Sequence, residues 1–239
     1  MVTHQLVVAL SDGEARTPSM VGHPAARLGL GWAEGLPVLW ATMLTVTAVQ
    51  QLRTGASTDP GRDPLGEALW RAWGQASADA ILPVAVSRSP LEPGRRPLPS
   101  VRLGNLAGWR DFRDAVTTLV VPDPDDAGGF HGLLVQPEIA AQAAGVVLGA
   151  DPFTGHGPPL VVATSSLRAG GRFDWRSVPG SGSPEPGLAG MGHAELGCRL
   201  TDLAARAAAL FGGPQDLEWV EDQAGRIWIT AVVPLEPYW

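Results

Sequence analysis

In its last quarter the chain reads Pro214-Gln215-Asp216-Leu217-Glu218-Trp219-Val220-Glu221-Asp222-Gln223-Ala224-Gly225-Arg226-Ile227-Trp228-Ile229-Thr230-Ala231-Val232-Val233-Pro234. Two runs rich in β-branched and aromatic residues, Leu217 to Val220 and Ile227 to Val233, flank a turn at Ala224-Gly225, a pattern that predicts an antiparallel hairpin. Just before it, Leu200, Leu203, Ala204, Ala207 and Leu210 recur at helical spacing, and Gly212-Gly213 supplies a stop.

Moving outward, Gly132 to Gln136, Gly145 to Leu148, Leu160 to Ala163 and Arg172 to Val178 are short apolar or alternating runs that predict strands, with a Gly/Ser/Pro tract from Pro179 to Gly192 as a loop. The segment Val121 to Gly132 holds two prolines, three aspartates and three glycines and is read as a link between two lobes, 1–122 and 123–239. In the first lobe, strands are expected at Leu6–Leu10, Leu36–Ala41, Ile81–Val86 and Thr117–Val121. Helices are expected at Ala25–Trp32, at Thr45–Arg53, after Asp63-Pro64, and around Trp109, Phe112, Ala115 and Val116.

All 17 members of the Lys+Arg count are arginine, and the formal charge is -7. An acidic chain lacks the cations that neutralise a phosphate backbone, which argues against nucleic-acid binding. The apolar run Leu36 to Val49 contains three threonines and is too short to span a bilayer. No basic stretch followed by an apolar block opens the sequence, so cytoplasmic residence and no membrane association are expected. Cys198 is the only cysteine and is read as a small buried thiol. The five histidines show no helical i, i+4 pair and no zinc spacing, so no metal site is expected.

Five strings in order, Leu134-Val135-Gln136, Ala144-Gly145-Val146, Ala150-Asp151-Pro152-Phe153-Thr154-Gly155, Pro214-Gln215-Asp216-Leu217-Glu218-Trp219 and Gly225-Arg226-Ile227-Trp228-Ile229, give the chain a family likeness. It resembles the ATP-grasp nucleotide-binding domain of the pyruvate phosphate dikinase, phosphoenolpyruvate synthase and rifampin phosphotransferase group. More loosely, Val21-Gly22 through Leu28 is similar to the family's glycine turn and helix, and Val84-Ala85-Val86 to its Val-x-Val strand. The resemblance implies an α+β, two-lobed ATP-grasp-like fold with mostly antiparallel sheets and flanking helices, and ATP with Mg²⁺ as the expected cofactors.

The departures fall on the ligands of those cofactors. Where the family places a lysine at the opening of the first helix, the chain reads Gly22-His23-Pro24-Ala25. Where the family strand delivers an arginine to phosphate, Val86-Ser87-Arg88-Ser89 carries its arginine one residue out of place, and a one-residue step on a strand reverses the face. Thr230-Ala231-Val232-Val233-Pro234 stands where the family has a glutamine and an arginine. Glu218 alone remains in its motif, and one carboxylate does not hold a magnesium nucleotide. Gln136 falls where the family's hinge strand passes the adenine, and Asp151 before Pro152 organises a turn. Gln136, Arg88 and Asp151 are thus the expected remnants of a nucleotide cleft. Within the 239 residues no swivelling phosphohistidine domain of the kind in the full-length enzymes is expected.

Three functions compete on these grounds. The first is a non-catalytic module with a protein partner or a small apolar ligand. The second is an ATP-independent enzyme using Glu218, His23 or His156 as acid-base groups. The third is an ATP-binding subunit of a split phosphotransferase that holds phosphate with arginines. The nine tryptophans suggest a tryptophan-lined pocket for an apolar molecule.

Overall fold

The computed structural model describes residues 5–78, 82–91, 102–121, 131–151, 153–165, 176–178 and 191–235. The chain divides into two compact units, one of Met1–Ala33 with Leu39–Ile139, the other of Glu34–Val38 with Ala140–Trp239.

The first unit is built on a five-stranded sheet in the order β1-β2-β5-β3-β4, formed by β1 (Val7–Ala9), β2 (Thr42–Leu44), β3 (Val84–Pro90), β4 (Arg102–Leu106) and β5 (His131–Pro137). Every pairing in it is antiparallel. One face carries α3 (Val46–Arg53), α4 (Pro64–Ala76) and α5 (Trp109–Val120) over a core that includes Leu44, Leu69, Trp73, Val86, Phe112 and Leu133. Two further helices, α1 (Pro18–Val21) and α2 (His23–Ala33), complete the unit. They follow a 3-10 turn at Gly13–Arg16 and contact β5 and β3.

The helix starts are set by short-range chemistry. Asp63 caps α4 by accepting from the backbone N–H of Leu65 at 2.8 Å and Gly66 at 3.0 Å, with Pro64 at the first helical position. These bonds, Gly66 foremost, hold the Asp63 carboxyl below the usual carboxylate range. Thr45 caps α3 through a 3.2 Å bond from Ala48 N.

The second unit holds β6 (Ala141–Leu148), β7 (Leu160–Ser165), β8 (Arg176–Val178), β9 (Gln215–Asp222) and β10 (Ile227–Pro234) in the order β10-β9-β6-β7-β8, again all antiparallel. The helix α6 (Met191–Phe211) packs on β6, β7 and β9. The expected hairpin is β9–β10, and Asp222 ties its turn. One carboxylate oxygen accepts from the backbone N–H of Ala224 and Arg226, and the other from Arg226 Nε at 2.8 Å and Trp228 Nε1 at 3.0 Å. The Trp228 bond, then the Arg226 backbone bond, pull the Asp222 carboxyl down to about 2. The Arg226 guanidinium also lies 5.4 Å over the Trp228 ring.

An α+β architecture of two antiparallel sheets with helices is therefore what the chain adopts. Four expectations need correction. The strand at 131–137, assigned to the second lobe, is the middle strand of the first sheet, and all seven of its residues are buried. A run without a polar face needs cover on both sides, and mid-sheet is where that exists. Thr117–Val121 is no strand, because α5 continues to Val120. Its face of Phe112, Ala115, Val116, Leu119 and Val120 keeps helical spacing, and the Thr117 and Thr118 hydroxyls bond back to Arg113 and Asp114 carbonyls at 2.9 Å. The strand expected at Leu36–Ala41 lies at Thr42–Leu44, with only an isolated bridge from Val38 to Ile229 before it. Cys198 is exposed rather than buried. The loop expected at Pro179 to Gly192 falls largely outside the described residues. Among the described residues, no helix is long and apolar enough to cross a membrane.

Candidate functional site

On β3, alternation decides the fate of two side chains. Ser89 pairs with Gly132 and Arg88 with Leu133, so the two project from opposite faces of the sheet. Ser89 meets the glycine turn. Its hydroxyl accepts from Ala25 N at 3.0 Å, and Gly22, at a φ of 85°, lies so close that a β-carbon there would collide with the Ser89 carbonyl. His23 opens α2 in this turn and is half-buried. The turn is therefore held to the strand by a hydroxyl. Arg27, half-buried one turn further along α2, is brought below its ordinary range by burial.

Arg88 lies on the face that carries α5. Its Nε donates to Leu119 O at 3.0 Å and its Nη2 to Val121 O at 2.6 Å. The last carbonyls of a helix have no partner within it and carry a partial negative charge, which a guanidinium satisfies on both counts. Two residues that the sequence reading did not assign to this place complete the cap. Arg53 donates through Nε to Val120 O at 2.9 Å. His131, buried, sits with Nε2 3.0 Å from Leu119 O and Nδ1 3.2 Å from Arg53 Nη2. Because a carbonyl only accepts and a guanidinium only donates, His131 carries its proton on Nε2. Their role was hidden because α5 was expected to stop before Thr117, which leaves no carbonyls at 119–121 in need of donors.

Gln136 is buried on β5 opposite Ala85 of β3, on the face shared with Gly132 and Leu134. It therefore shares the first unit with Arg88 and His23, while the other three candidates belong to the second.

Glu218 is exposed on β9, opposite Val146 of β6 and Ala231 of β10. Its neighbour two positions along the same face, Val220, lies opposite Ala144 and Trp228. The carboxylate thus stands in a row of apolar cross-strand partners. Asp151 does organise its turn. Its Oδ1 accepts from Phe153 N at 2.7 Å and Thr154 N at 3.4 Å, and its carbonyl accepts from Gly155 N. His156 is exposed and joins this turn through its backbone, its carbonyl accepting from Asp151 N. Asp151 and His156 are thus brought together, by main-chain geometry.

Magnesium ATP needs cations against its phosphates and oxygen ligands for the metal. The residues present do not fit it. Arg88 is bonded to helix carbonyls, Glu218 has Val146 and Ala231 beside it, and β10 reads Ala231-Val232-Val233, which offers no side-chain oxygen. Among the described residues no group of three or more His, Cys, Asp or Glu could hold a metal ion.

Three solved structures are similar to this chain. The D-alanine-D-alanine ligase from Coxiella burnetii is 13% identical with a TM-score of 0.47, the match covering 89% of this chain and 47% of the ligase. The ATP-grasp ligase PsnB complexed with minimal precursor is 15% identical with a TM-score of 0.43, over 93% of this chain and 54% of PsnB. The macrocyclase MdnC from Microcystis aeruginosa MRC, bound with precursor peptide MdnA, is 11% identical with a TM-score of 0.46, over 90% and 53%. The chain spans about half the length of these structures. No protein-family profile and no curated protein matches it.

Among the described residues, several tryptophans pack against one another. Trp70, Trp73 and Trp109 pack on one another with ring centroids 5.1 to 6.1 Å apart, and Trp109 also packs on Phe112. Trp32 packs edge-on against Trp40. The cluster of Trp70, Trp73 and Trp109 joins α4 to α5.

Proposed function

We propose that this protein is a degenerate ATP-grasp module of the phosphoenolpyruvate-synthase type, one that has given up phosphoryl transfer and acts as a non-catalytic partner or ligand-binding module. The ordered motif strings argue for the ancestry. The observation that carries the loss is the bonding of Arg88 to the Leu119 and Val121 carbonyls. An arginine that closes a helix cannot leave for a triphosphate without giving up its bonds to two helix-end carbonyls. Ser89 at the glycine turn and the apolar β10 support the same reading, because neither supplies charge to a phosphate.

Thermal melting with and without about 5 mM Mg-ATP tests it, since a ligand that binds only the folded state raises the melting temperature. A shift below about 1 °C with no phosphate release is expected. A rise of several degrees, or turnover, contradicts the reading. The positive half of the proposal predicts that one protein in stoichiometric amount, or one small molecule, accompanies the chain through native purification.

A further inference from the structure

The first unit contains a recess of about 500 Å³ that is distinct from the residues discussed above as nucleotide remnants. It lies where the last turns of α3 and α5 meet, floored by Leu52, Ala56, Val120 and Val121 and edged by Arg53 and Thr58. Its size falls within the range of small-molecule sites, as does its make-up of mostly apolar lining with a few polar groups. Its walls are fixed, because the Arg53 Nε bond to Val120 O joins the two helices at the rim.

We propose that this recess binds a small molecule with an apolar body and one hydrogen-bond acceptor. The apolar floor sets the body. The acceptor follows from Thr58, half-buried at the edge, whose hydroxyl makes no hydrogen bond among the described residues. The Arg53 cation at the rim is set against the carbonyl end of α5, whose partial negative charge offsets part of it. Among the described residues no carboxylate lines the recess. This inference does not depend on the loss of ATP binding.

The test uses prodan, a neutral naphthalene bearing one ketone, whose emission moves to the blue in an apolar site. The full chain is expected to bind it saturably at one site. Ala56→Trp and Val121→Trp, which fill the recess from two sides, are each expected to weaken binding at least about tenfold, and Thr58→Val about fivefold, the scale of one hydrogen bond. Val121 is 58% exposed, so its substitution leaves the fold intact even if Ala56→Trp does not fold. Unshifted emission with the wild-type chain overturns the proposal. So does binding that survives Val121→Trp unchanged.

Discussion

Strands β3 and β9 set their charged residues in opposite surroundings. On β3 the cation is a structural part, with Arg88 closing the end of α5. On β9 the carboxylate of Glu218 stands exposed between apolar cross-strand neighbours, Val146 on one side and Ala231 on the other. A charged residue that has been given a fold role becomes costly to remove.

The largest consequence is expected at Arg88. Arg88→Met keeps the aliphatic stem and deletes both donors, so urea unfolding is expected to show a loss of about 2–3 kcal/mol, the scale of hydrogen bonds to a charged group. A loss under about 0.5 kcal/mol would place Arg88 among ordinary surface residues and break the contrast.

Asp222 sharpens it from the second unit, as a carboxylate on β9 that does have a fold role. Its folded value near 2 lies below the ordinary value of about 4, so its contribution is complete above about pH 4 and disappears as the pH falls through 2. Melting temperatures of wild type and Asp222→Asn are therefore expected to differ at neutral pH and to converge between about pH 4 and pH 2. A constant difference across that range would mean that the ionised form is not what the turn requires. Glu218→Gln, four residues earlier on the same strand, is expected to change stability by no more than about 0.5 kcal/mol, as exposed substitutions do.

The sequence was readable where one local rule acts alone. The cap at Asp63-Pro64, the turn at Ala224-Gly225 and the Asp151 turn each rest on contacts within a few residues, and all three are found. Strand alternation likewise sets Arg88 and Ser89 on opposite faces of β3. What could not be read depends on distant partners. The apolar run 131–137 does not say which sheet it joins, and the β-branched Thr117 and Thr118 look like strand until their hydroxyls are seen bonded back along α5. The cap of Arg53 and His131 was hidden for the same reason, since these two residues, 78 apart, meet only once α5 has its full length. The short edge strand β4 was missed outright; it carries Gly104 and the positive-φ Asn105, which break any alternating pattern.

The central claim is that the Arg88 guanidinium belongs to the fold and not to a nucleotide, and its side-chain Nε–H resonance reports on that directly. In an NMR titration with Mg-ATP, the account predicts an Arg88 Nε–H signal protected from solvent exchange and unmoved up to about 10 mM nucleotide, a concentration at which even a millimolar site would be nearly full. A signal that exchanges freely with water, or that shifts with a micromolar midpoint, would contradict it.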